Sequence, residues 1–502
     1  METSHHGSAT NPYDHPSPAA DATSATTELN DDGLSTSFPF LTLSPDNTPA
    51  QQATNNTAEL IRCNSTHEHH QQFLKRVDNT THRFVFDLSA PGFPPTAALI
   101  WIDRNSGAFM LKAISLTHPV QYLSGLGLEG DLTLQFGEMT VLWMRRNRLR
   151  FWPAQLDFVL DVTAQSAADF SLRRNRFLLS NGDETQIPND NFDALPIETH
   201  TRVRDYITHS KILGTGAFGR VSLGVQASTG TPVAIKVAHS TKQRNVISLK
   251  TEIYIAEALS RHENIVRFLT TWCNHAASPP CFDCPLDDYY MTMPLAEYAF
   301  EDFFRLCPLP PRSLPPGSLP PTDVHIHRKL FHDITEGLAY IHSLGIMHRD
   351  ISPKNLLVFF GEKDKFPWQA AICDFGKAID ATHHRETGLG PIHTVAPEVW
   401  TLTTPPDNHF YYTNAIDMWS LGYTHLFILT PIGMGKTDEG RHKYLLSQLD
   451  GLCTKGKIDK TEESYVRDLL EMNPGKRPTA EQALKHNIWR ELMPSAASRA
   501  RG

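Results

Sequence analysis

The chain has 502 residues, a formal net charge of −9 and seven cysteines. This length exceeds what one ordinary hydrophobic core needs and predicts two or three domains. The negative charge argues against general binding to nucleic acid or to anionic membranes. The N-terminus has no apolar signal segment, and no apolar run approaches the roughly 20 residues of a membrane span. We therefore expect a soluble, intracellular protein, in the cytoplasm or the nucleus, with reduced cysteines.

Residues 1 to about 57 are rich in Ser, Thr, Asn, Asp, Pro, Ala and His and contain few large apolar residues. Such a segment cannot bury enough surface to offset the entropy lost on ordering. The composition predicts a disordered N-terminal tail.

Short runs with a period near two follow from about residue 80 to 180, for example at 98–102 and 155–162. Turn residues separate these runs, and helical periodicity is weak, which predicts a small β-sandwich. The basic segment 144–150 alternates with apolar residues, so we interpret it as the solvated face of a strand. In size, strand spacing and position the region resembles a forkhead-associated domain, an eleven-strand phosphothreonine reader. No phosphate-binding pattern of that family (a Gly-Arg pair and a Ser-x-x-His) is recognised, which favours a scaffolding role over phosphopeptide binding.

A polar stretch at 181–203 predicts a linker, and a glycine-rich loop follows it. Glycines let a backbone approach phosphate groups closely enough to donate N–H groups. A dinucleotide-binding turn shares the G-x-G-x-x-G spacing, but there the third glycine opens a helix. Here Val221, which is also an expected nucleotide contact, begins a second strand, so we expect the loop to lie in a hairpin. The loop comprises Leu213, Gly214, Thr215, Gly216, Ala217, Phe218 and Gly219.

Lys236 stands in the apolar strand that comes next, where a lysine is costly to bury unless it is paired. An ammonium at this position can contact the phosphates of a nucleotide if a carboxylate holds it. Glu252 on the following helix is the expected partner, with Glu257 as the alternative. A later strand around 289–293 ends at a hinge. There Met293 would guard the back of an adenine pocket, and the backbones of Leu295 and Ala296 would contact the adenine edge; Ala234 is a further expected nucleotide contact.

The segment His348-Arg349-Asp350-Ile351-Ser352-Pro353-Lys354-Asn355 combines a carboxylate, an amide and two cations. Phosphoryl transfer needs an acceptor for the substrate proton, a metal ligand and positive charge near the phosphoryl group. Asp350 fits the catalytic base, Lys354 the phosphate cation and Asn355 a Mg²⁺ ligand. Asp374, which ends an apolar strand, is the expected second Mg²⁺ ligand. A late arginine, Arg477, is expected to pair with Glu398.

Seven motifs in order resemble the eukaryotic protein kinase family over about residues 205–490. They are the glycine loop, Val-Ala-Ile-Lys, His-Arg-Asp with its Asn, Asp-Phe-Gly, Ala-Pro-Glu, Asp-x-Trp-Ser-x-Gly and the late Arg. The resemblance implies an α+β bilobal kinase fold, with a β-rich small lobe, a helical large lobe and ATP with Mg²⁺ in the cleft between them. It also implies protein substrates. We expect the sandwich and the disordered tail to precede this domain and a short tail, 491–502, to follow it.

Two departures from the family bear on the acceptor hydroxyl. Serine/threonine kinases usually carry Lys two residues after the catalytic Asp, whereas this chain has Ser352 there and Lys354 two residues later. They also usually have Thr five residues before the Ala of Ala-Pro-Glu, where this chain has Pro391 and then Ile392. At both places the sequence is similar to that of tyrosine kinases. The forkhead-like region favours the Ser/Thr type. A tyrosine or dual-specificity kinase and a pseudokinase adaptor stay open as alternatives.

Three further features have no assigned role. The proline-dense segment 308–321 predicts an exposed stiff loop. Thr382 and Thr387 are candidate phosphorylation sites in the activation segment. Four potential Zn²⁺ ligands match no familiar zinc module, and ordinary loop residues are the preferred interpretation; these are Cys273, His275, Cys281 and Cys284.

Overall fold

The structure is a computed structural model of the chain. It describes residues 41–53, 59–61, 74–76, 83–86, 96–103, 108–123, 131–143, 146–152, 155–162, 201–216, 219–239, 243–259, 261–274, 280, 288–306, 324–360, 368–380, 394–400, 412–430, 432, 439–490 and 492.

The described residues of the N-terminal region form two antiparallel sheets with eleven strands. The first sheet has the strand order β2-β1-β11-β10-β7-β8 and the second has the order β3-β4-β5-β6-β9. A short helix, α1 (Thr48–Ala53), follows the first strand. The strands are β1 (Leu41–Pro45), β2 (Glu59–Ile61), β3 (Leu74–Arg76), β4 (Arg83–Phe86), β5 (Ala98–Ile102), β6 (Phe109–Ala113), β7 (Val120–Leu123), β8 (Leu132–Leu134), β9 (Met139–Leu142), β10 (Arg146–Phe151) and β11 (Leu156–Val162).

Alternation of side chains across the strands produces this sandwich. In β10, Arg146 and Arg148 are exposed while Leu149 and Phe151 are buried, so the basic segment is the solvated face of a strand as predicted. Phe151 packs at a ring-centroid distance of 5.9 Å from Phe158 of β11 and 4.6 Å from an aromatic residue of β4. The expected β-sandwich is therefore present in the structure.

Two predicted boundaries are wrong. Strand β1 lies inside the segment 1–57 that was predicted to be disordered, because it pairs with β11 over five residues and buries Leu43 completely. Strand β12 (Thr201–Val203) lies inside the predicted linker and pairs with the start of β13. Both strands are short, and their pairing defines them: β1 pairs with the distant β11, and β12 forms a hairpin with the adjacent β13. Residues 1–40 and 54–57 of the predicted tail lie outside the described residues.

A second β-rich unit follows, with the strand order β12-β13-β14-β15-β17-β16 and one long helix. Strands β13 and β14 form the glycine hairpin, and β15 carries Lys236. The remaining elements of this unit are β13 (Tyr206–Gly216), β14 (Gly219–Gln226), β15 (Pro232–His239), α2 (Gln243–Leu259), β16 (Thr270–Cys273) and β17 (Asp288–Pro294).

The last part of the chain is mainly helical and packs around one apolar core that includes Trp419, Tyr465 and Trp489. None of the described helices is long and apolar enough to cross a membrane. Its strands are β18 (Tyr298–Ala299), β19 (Ile346–Met347), β20 (Leu356–Phe360), β21 (Trp368–Ile372) and β22 (Ile379–Asp380). Its helices are α3 (Phe300–Leu306), α4 (Val324–Ser343), α5 (Pro397–Trp400), α6 (Ala415–Leu429), α7 (Glu439–Thr454), α8 (Lys460–Leu469) and α9 (Ala480–Ala483), followed by a 3₁₀ turn, Asn487–Trp489.

The sandwich packs against the turn between β14 and β15. The Val141 N–H donates to the carbonyl oxygen of Ala227 at 2.9 Å, and Ala227 is 1% exposed. Ile207, Val225 and Ala227 belong to the same apolar cluster as the core of the sandwich. The β-rich unit that carries the glycine loop and the sandwich therefore share a continuous core.

Candidate active site

The glycine loop lies at the tip of the β13–β14 hairpin, where Gly216 pairs with Gly219. Gly219 has a φ of +150°, and a Cβ there would lie 2.0 Å from the carbonyl oxygen of Val237. Only glycine fits this position, because both the dihedral angle and the close approach exclude a side chain. The hairpin context confirms the predicted strand–loop–strand arrangement and excludes a dinucleotide-binding turn, in which a helix would follow.

Lys236 lies between two carboxylates. Its Nζ is 2.5 Å from Oε1 of Glu252 and 2.9 Å from Oδ1 of Asp374. Burial alone would lower the pKa of Lys236, but the two carboxylates outweigh it and hold that pKa above its ordinary value. Burial would raise the pKa of Asp374, yet Lys236 keeps it below its ordinary value. The structure thus pairs Lys236 with Glu252, as expected, whereas the alternative partner, Glu257, is exposed.

An apolar cluster lies beside this ion pair. Ala234 faces Met293 in the register of β15 and β17, and both are buried. Val221 and Leu295, also predicted to contact a nucleotide, pack against them, and Ala296 follows at the partly buried hinge. The cluster also contains residues that the sequence analysis missed, among them Leu357, two residues after Asn355, and Cys373, directly before Asp374. Flat apolar walls of this kind suit an aromatic base.

The backbone of the catalytic loop is fixed by Asp417 of α6. Its Oδ2 accepts the His348 N–H at 2.9 Å, and its Oδ1 accepts the Arg349 N–H at 2.8 Å. Nε2 of His342 lies 3.0 Å from Oδ2 of the same carboxylate. Burial would raise the pKa of Asp417, but His342 and these backbone donors keep it below its ordinary value. Arg349 and Asp374 have positive φ angles, 68° and 62°, and backbone strain of this kind is typical of functional sites.

Asp350 presents one carboxylate oxygen that has no internal partner. Its Oδ1 is buried and makes no hydrogen bond within the described part of the chain. Its Oδ2 lies 3.0 Å from Nζ of Lys377. The Asn355 amide donates to the Asp350 carbonyl oxygen at 2.8 Å, and the Cys373 N–H donates to the Asn355 carbonyl oxygen at 3.0 Å. These bonds bring the predicted base and the two predicted metal ligands together. Mg²⁺ prefers oxygen ligands such as those of amides and carboxylates, so the Asn355 and Asp374 side chains fit this ion.

Lys354, the predicted phosphate cation, does not contact the base. Its side chain is exposed, and it forms no ion pair with Asp350. The residue at that carboxylate is Lys377, three residues after Asp374, and the sequence analysis missed it. A lysine directly after Asp-Phe-Gly was visible in the sequence, but nothing in the local pattern placed it beside Asp350.

The late arginine pairs with Glu398 as predicted. Nη1 of Arg477 lies 2.8 Å from Oε1, and Nη2 lies 3.1 Å from Oε2, a two-pronged contact. The guanidinium also lies over the ring of Trp419, 5.2 Å from its centroid. This arrangement anchors the segment that follows the catalytic centre to the large helical core.

Several predicted features lie outside the described residues. They are Ala217 and Phe218 of the glycine loop, the candidate phosphorylation sites Thr382 and Thr387, the substrate-side residues Pro391 and Ile392, the potential zinc ligands His275, Cys281 and Cys284, and the proline-dense segment 308–321.

One statement about the sandwich is wrong. Ser115-Leu116-Thr117-His118, between β6 and β7, is a Ser-x-x-His sequence that the sequence analysis did not recognise. The Ser115 hydroxyl accepts the His118 N–H at 3.2 Å, and Nδ1 of His118 lies 2.7 Å from the Thr117 hydroxyl. The Ser-x-x-His element of the resemblance to forkhead-associated domains is therefore present, in a hydrogen-bonded turn.

Comparison with known proteins assigns the part of the chain that contains this site to a protein family. A family model described as Protein kinase domain matches residues 207–489, more than half of the chain. The chain belongs to the protein kinase family. The ion pair of Lys236, the carboxylate of Asp350 and the loop anchored by Asp417 are thus parts of a kinase domain.

Two curated relatives are named as serine/threonine-protein kinases. The chain is 28% identical over 306 residues to the serine/threonine-protein kinase RAD53 of Saccharomyces cerevisiae, covering 58% of this chain and 34% of that protein. It is 27% identical over 296 residues to the human serine/threonine-protein kinase H1, covering 57% and 62%. The matches thus span less than two thirds of these relatives. A crystal structure of Rad53 1-466 in complex with AMP-PNP aligns over 80% of this chain and 86% of that chain, at 20% identity and a TM-score of 0.47.

Proposed function

We propose that the chain is an ATP-dependent protein kinase that transfers the γ-phosphoryl group of ATP to serine and threonine hydroxyls of protein substrates. The observation that carries the proposal is Oδ1 of Asp350, which has no hydrogen-bond partner among the described residues, in a loop where the Asn355 amide donates to the Asp350 carbonyl oxygen. A buried carboxylate oxygen without a partner is costly unless a donor reaches it during function. A substrate hydroxyl is such a donor.

Each member of the site then has a distinct task. The glycine hairpin and the apolar cluster around Ala234 and Met293 bind the nucleotide, and Lys236 contacts its phosphates. Asn355 and Asp374 would hold Mg²⁺, which would supply positive charge to neutralise the nucleotide phosphates. Asp350 accepts the proton of the attacking hydroxyl. Positioning and charge stabilisation supply most of the catalysis, because phosphoryl transfer requires little covalent chemistry from the protein.

The names of the relatives favour serine and threonine as acceptors over tyrosine. The two departures similar to tyrosine kinases, Ser352 and Pro391, are single positions in the sequence. The proposal therefore retains the Ser/Thr type, acting on protein substrates. An intracellular location, in the cytoplasm or nucleus, stays a prediction from the sequence, as does the absence of nucleic-acid binding.

Phosphoamino-acid analysis tests the proposal. The full chain, expressed and purified, is incubated with Mg²⁺, labelled ATP and a degenerate peptide library that contains Ser, Thr and Tyr. We expect phosphoserine and phosphothreonine. Label on tyrosine would support the tyrosine or dual-specificity alternative. Nucleotide binding without any transfer would support the pseudokinase adaptor.

A further inference from the structure

Phosphoryl transfer requires positive charge next to the transferring group as well as next to the nucleotide phosphates. In this chain Lys236 is already held by Glu252 and Asp374, 2.5 and 2.9 Å away. Lys354 is exposed and forms no ion pair with Asp350. The cation that contacts the catalytic carboxylate is Lys377, with Nζ 3.0 Å from Oδ2 of Asp350.

The fold brings Lys377 to this place through a short antiparallel pairing. Met347 of β19 faces Ile379 of β22, and Ile346 faces Asp380. The catalytic loop leaves β19 directly after Met347, and Lys377 lies two residues before Ile379. The two segments therefore converge at Asp350. A turn in which the Ala378 N–H donates to the Phe375 carbonyl oxygen at 3.0 Å fixes the chain between Asp374 and β22.

The two carboxylate oxygens of Asp350 differ in their contacts, and this difference fits a site used by both a cation and a substrate hydroxyl. Oδ2 is taken by Lys377, and Oδ1 has no partner in the described structure. The Lys377 side chain is 26% exposed, so solvent reaches part of it beside Asp350. An ammonium has three donors. If one N–H of the Lys377 ammonium bonds to Asp350, two N–H groups are left for phosphoryl oxygens.

We propose that Lys377 is the catalytic cation of the transfer step and contacts the oxygens of the γ-phosphoryl group, the role assigned to Lys354 from the sequence. This inference rests on the proposed kinase function. In the step, the substrate hydroxyl oxygen forms a bond to the γ-phosphorus, and the bond from that phosphorus to the β,γ-bridging oxygen breaks. The hydroxyl proton passes to Oδ1 of Asp350. ADP leaves with the bond's electron pair, and Lys377 stabilises the negative charge on the moving phosphoryl oxygens.

The test compares Lys377→Met, Lys377→Arg, Lys354→Ala, Ser352→Lys and the double variant Ser352→Lys/Lys377→Met with the wild type. Methionine keeps the length of the side chain and removes its charge. The full chain is assayed for kcat and for the KM of ATP with Mg²⁺ and the peptide library, and thermal melting verifies folding. We expect Lys377→Met to lower kcat about 10²- to 10³-fold, as loss of one charge-stabilising group does, with the KM of ATP within about threefold.

Restoration of kcat in the double variant distinguishes a catalytic role of Lys377 from a role in positioning Asp350. We expect Ser352→Lys in the Lys377→Met background to restore kcat at least about tenfold, because it supplies a lysine two residues after Asp350, and Lys377→Arg to stay within about tenfold of the wild type. Lys354→Ala should stay within about threefold.

Four results would overturn the inference. One is a Lys377→Met variant whose kcat is within about fivefold of the wild type. The second is a Lys354→Ala variant as impaired as Lys377→Met. The third is an inactive Lys377→Arg variant. The fourth is a lack of rescue by Ser352→Lys when that single variant is itself active, since Lys377 would then act only by positioning Asp350. A wild type that transfers no phosphate would instead refute the proposed kinase function, and this inference with it.

Discussion

Nζ of Lys236 lies 2.5 Å from Oε1 of Glu252, an ion pair that joins the central strand of the small-lobe sheet to helix α2. Both residues are buried, Lys236 at 8% and Glu252 at 1% exposure. Breaking one partner of a buried pair leaves the other charge uncompensated. The pair therefore couples the position of α2 to the phosphate-binding lysine.

Glu252→Gln is expected to reduce kcat/KM about 100-fold, because Lys236 loses one of its two carboxylates and its position relative to the phosphates changes. Steady-state kinetics with ATP as the varied substrate measures the effect. Glu257→Gln on the exposed face of the same helix is the matched control and should be close to wild type. Equal activity of the two variants would contradict the role of the pair.

Asp417→Asn is expected to lower stability by about 2–4 kcal/mol, since hydrogen bonds to a buried charged acceptor contribute about 1.5–3 kcal/mol and three donors converge here. Activity should fall with it, because His348 and Arg349 lose the carboxylate that fixes the catalytic loop. Thermal melting and kinetics check the two effects. The hydrogen bond from the Asn355 amide to the Asp350 carbonyl oxygen does not depend directly on Asp417 and remains possible in the variant. Wild-type melting of the variant would show that the loop has another anchor.

A buried polar cluster in the large lobe predicts a pH dependence of stability. Nε2 of His425 on α6 lies 3.0 Å from Oε1 of Glu462 on α8, while His327 and Arg328 on α4 lie 3.4 and 3.6 Å from that carboxylate. Burial lowers the pKa of His425 to about 4 in the folded state, against about 6.5 in the unfolded chain. Between these values only the unfolded chain takes up the proton, so stability falls as pH falls from about 6.5 to 4, by up to about 1.4 kcal/mol per pH unit.

Melting temperatures at pH 7.5 and 5.0 measure this dependence. His425→Gln keeps a donor for Glu462 and cannot titrate in this range, so its melting temperature should decrease less than that of the wild type. A variant with the same pH dependence as the wild type would show that His425 is not the responsible group.

The shared core of the sandwich and the small lobe predicts that the sandwich stabilises the kinase domain. Ala227→Asp should lower the melting temperature and cost about 2–4 kcal/mol, because it places an unpaired carboxylate at a buried position of that core. Thr229→Asp, two residues later on the exposed side of the same turn, is the matched control and should have little effect. Identical melting of both variants would argue against a scaffolding role for this contact.

Much of the kinase site could be predicted from the sequence because its motifs are local. The glycine hairpin, Asp350 with Asn355, and Asp374 each occur in a short segment whose chemistry is readable. The pairings of Lys236 with Glu252 and Arg477 with Glu398 were also predicted, since helix periodicity and motif order restricted the candidates.

The parts that were missed depend on contacts between distant segments. Lys377 reaches Asp350 only through the β19–β22 pairing, and two-residue strands leave no periodic signal. Strand β1 was assigned to a disordered tail because its partner, β11, lies more than a hundred residues away. Ser115 and His118 were overlooked for a different reason: the motif is four residues long and stands between strands whose boundaries were not fixed.

The most direct test of the account is the turnover of Asp350→Asn compared with the wild type. Asparagine preserves the shape of the side chain but removes the oxygen that would accept the hydroxyl proton. We expect Mg²⁺-dependent phosphate transfer to Ser/Thr peptides to fall about 10²- to 10⁴-fold, the usual contribution of a positioned base, while ATP binding is retained. Full activity of Asp350→Asn, or no transfer by the wild type, would contradict it.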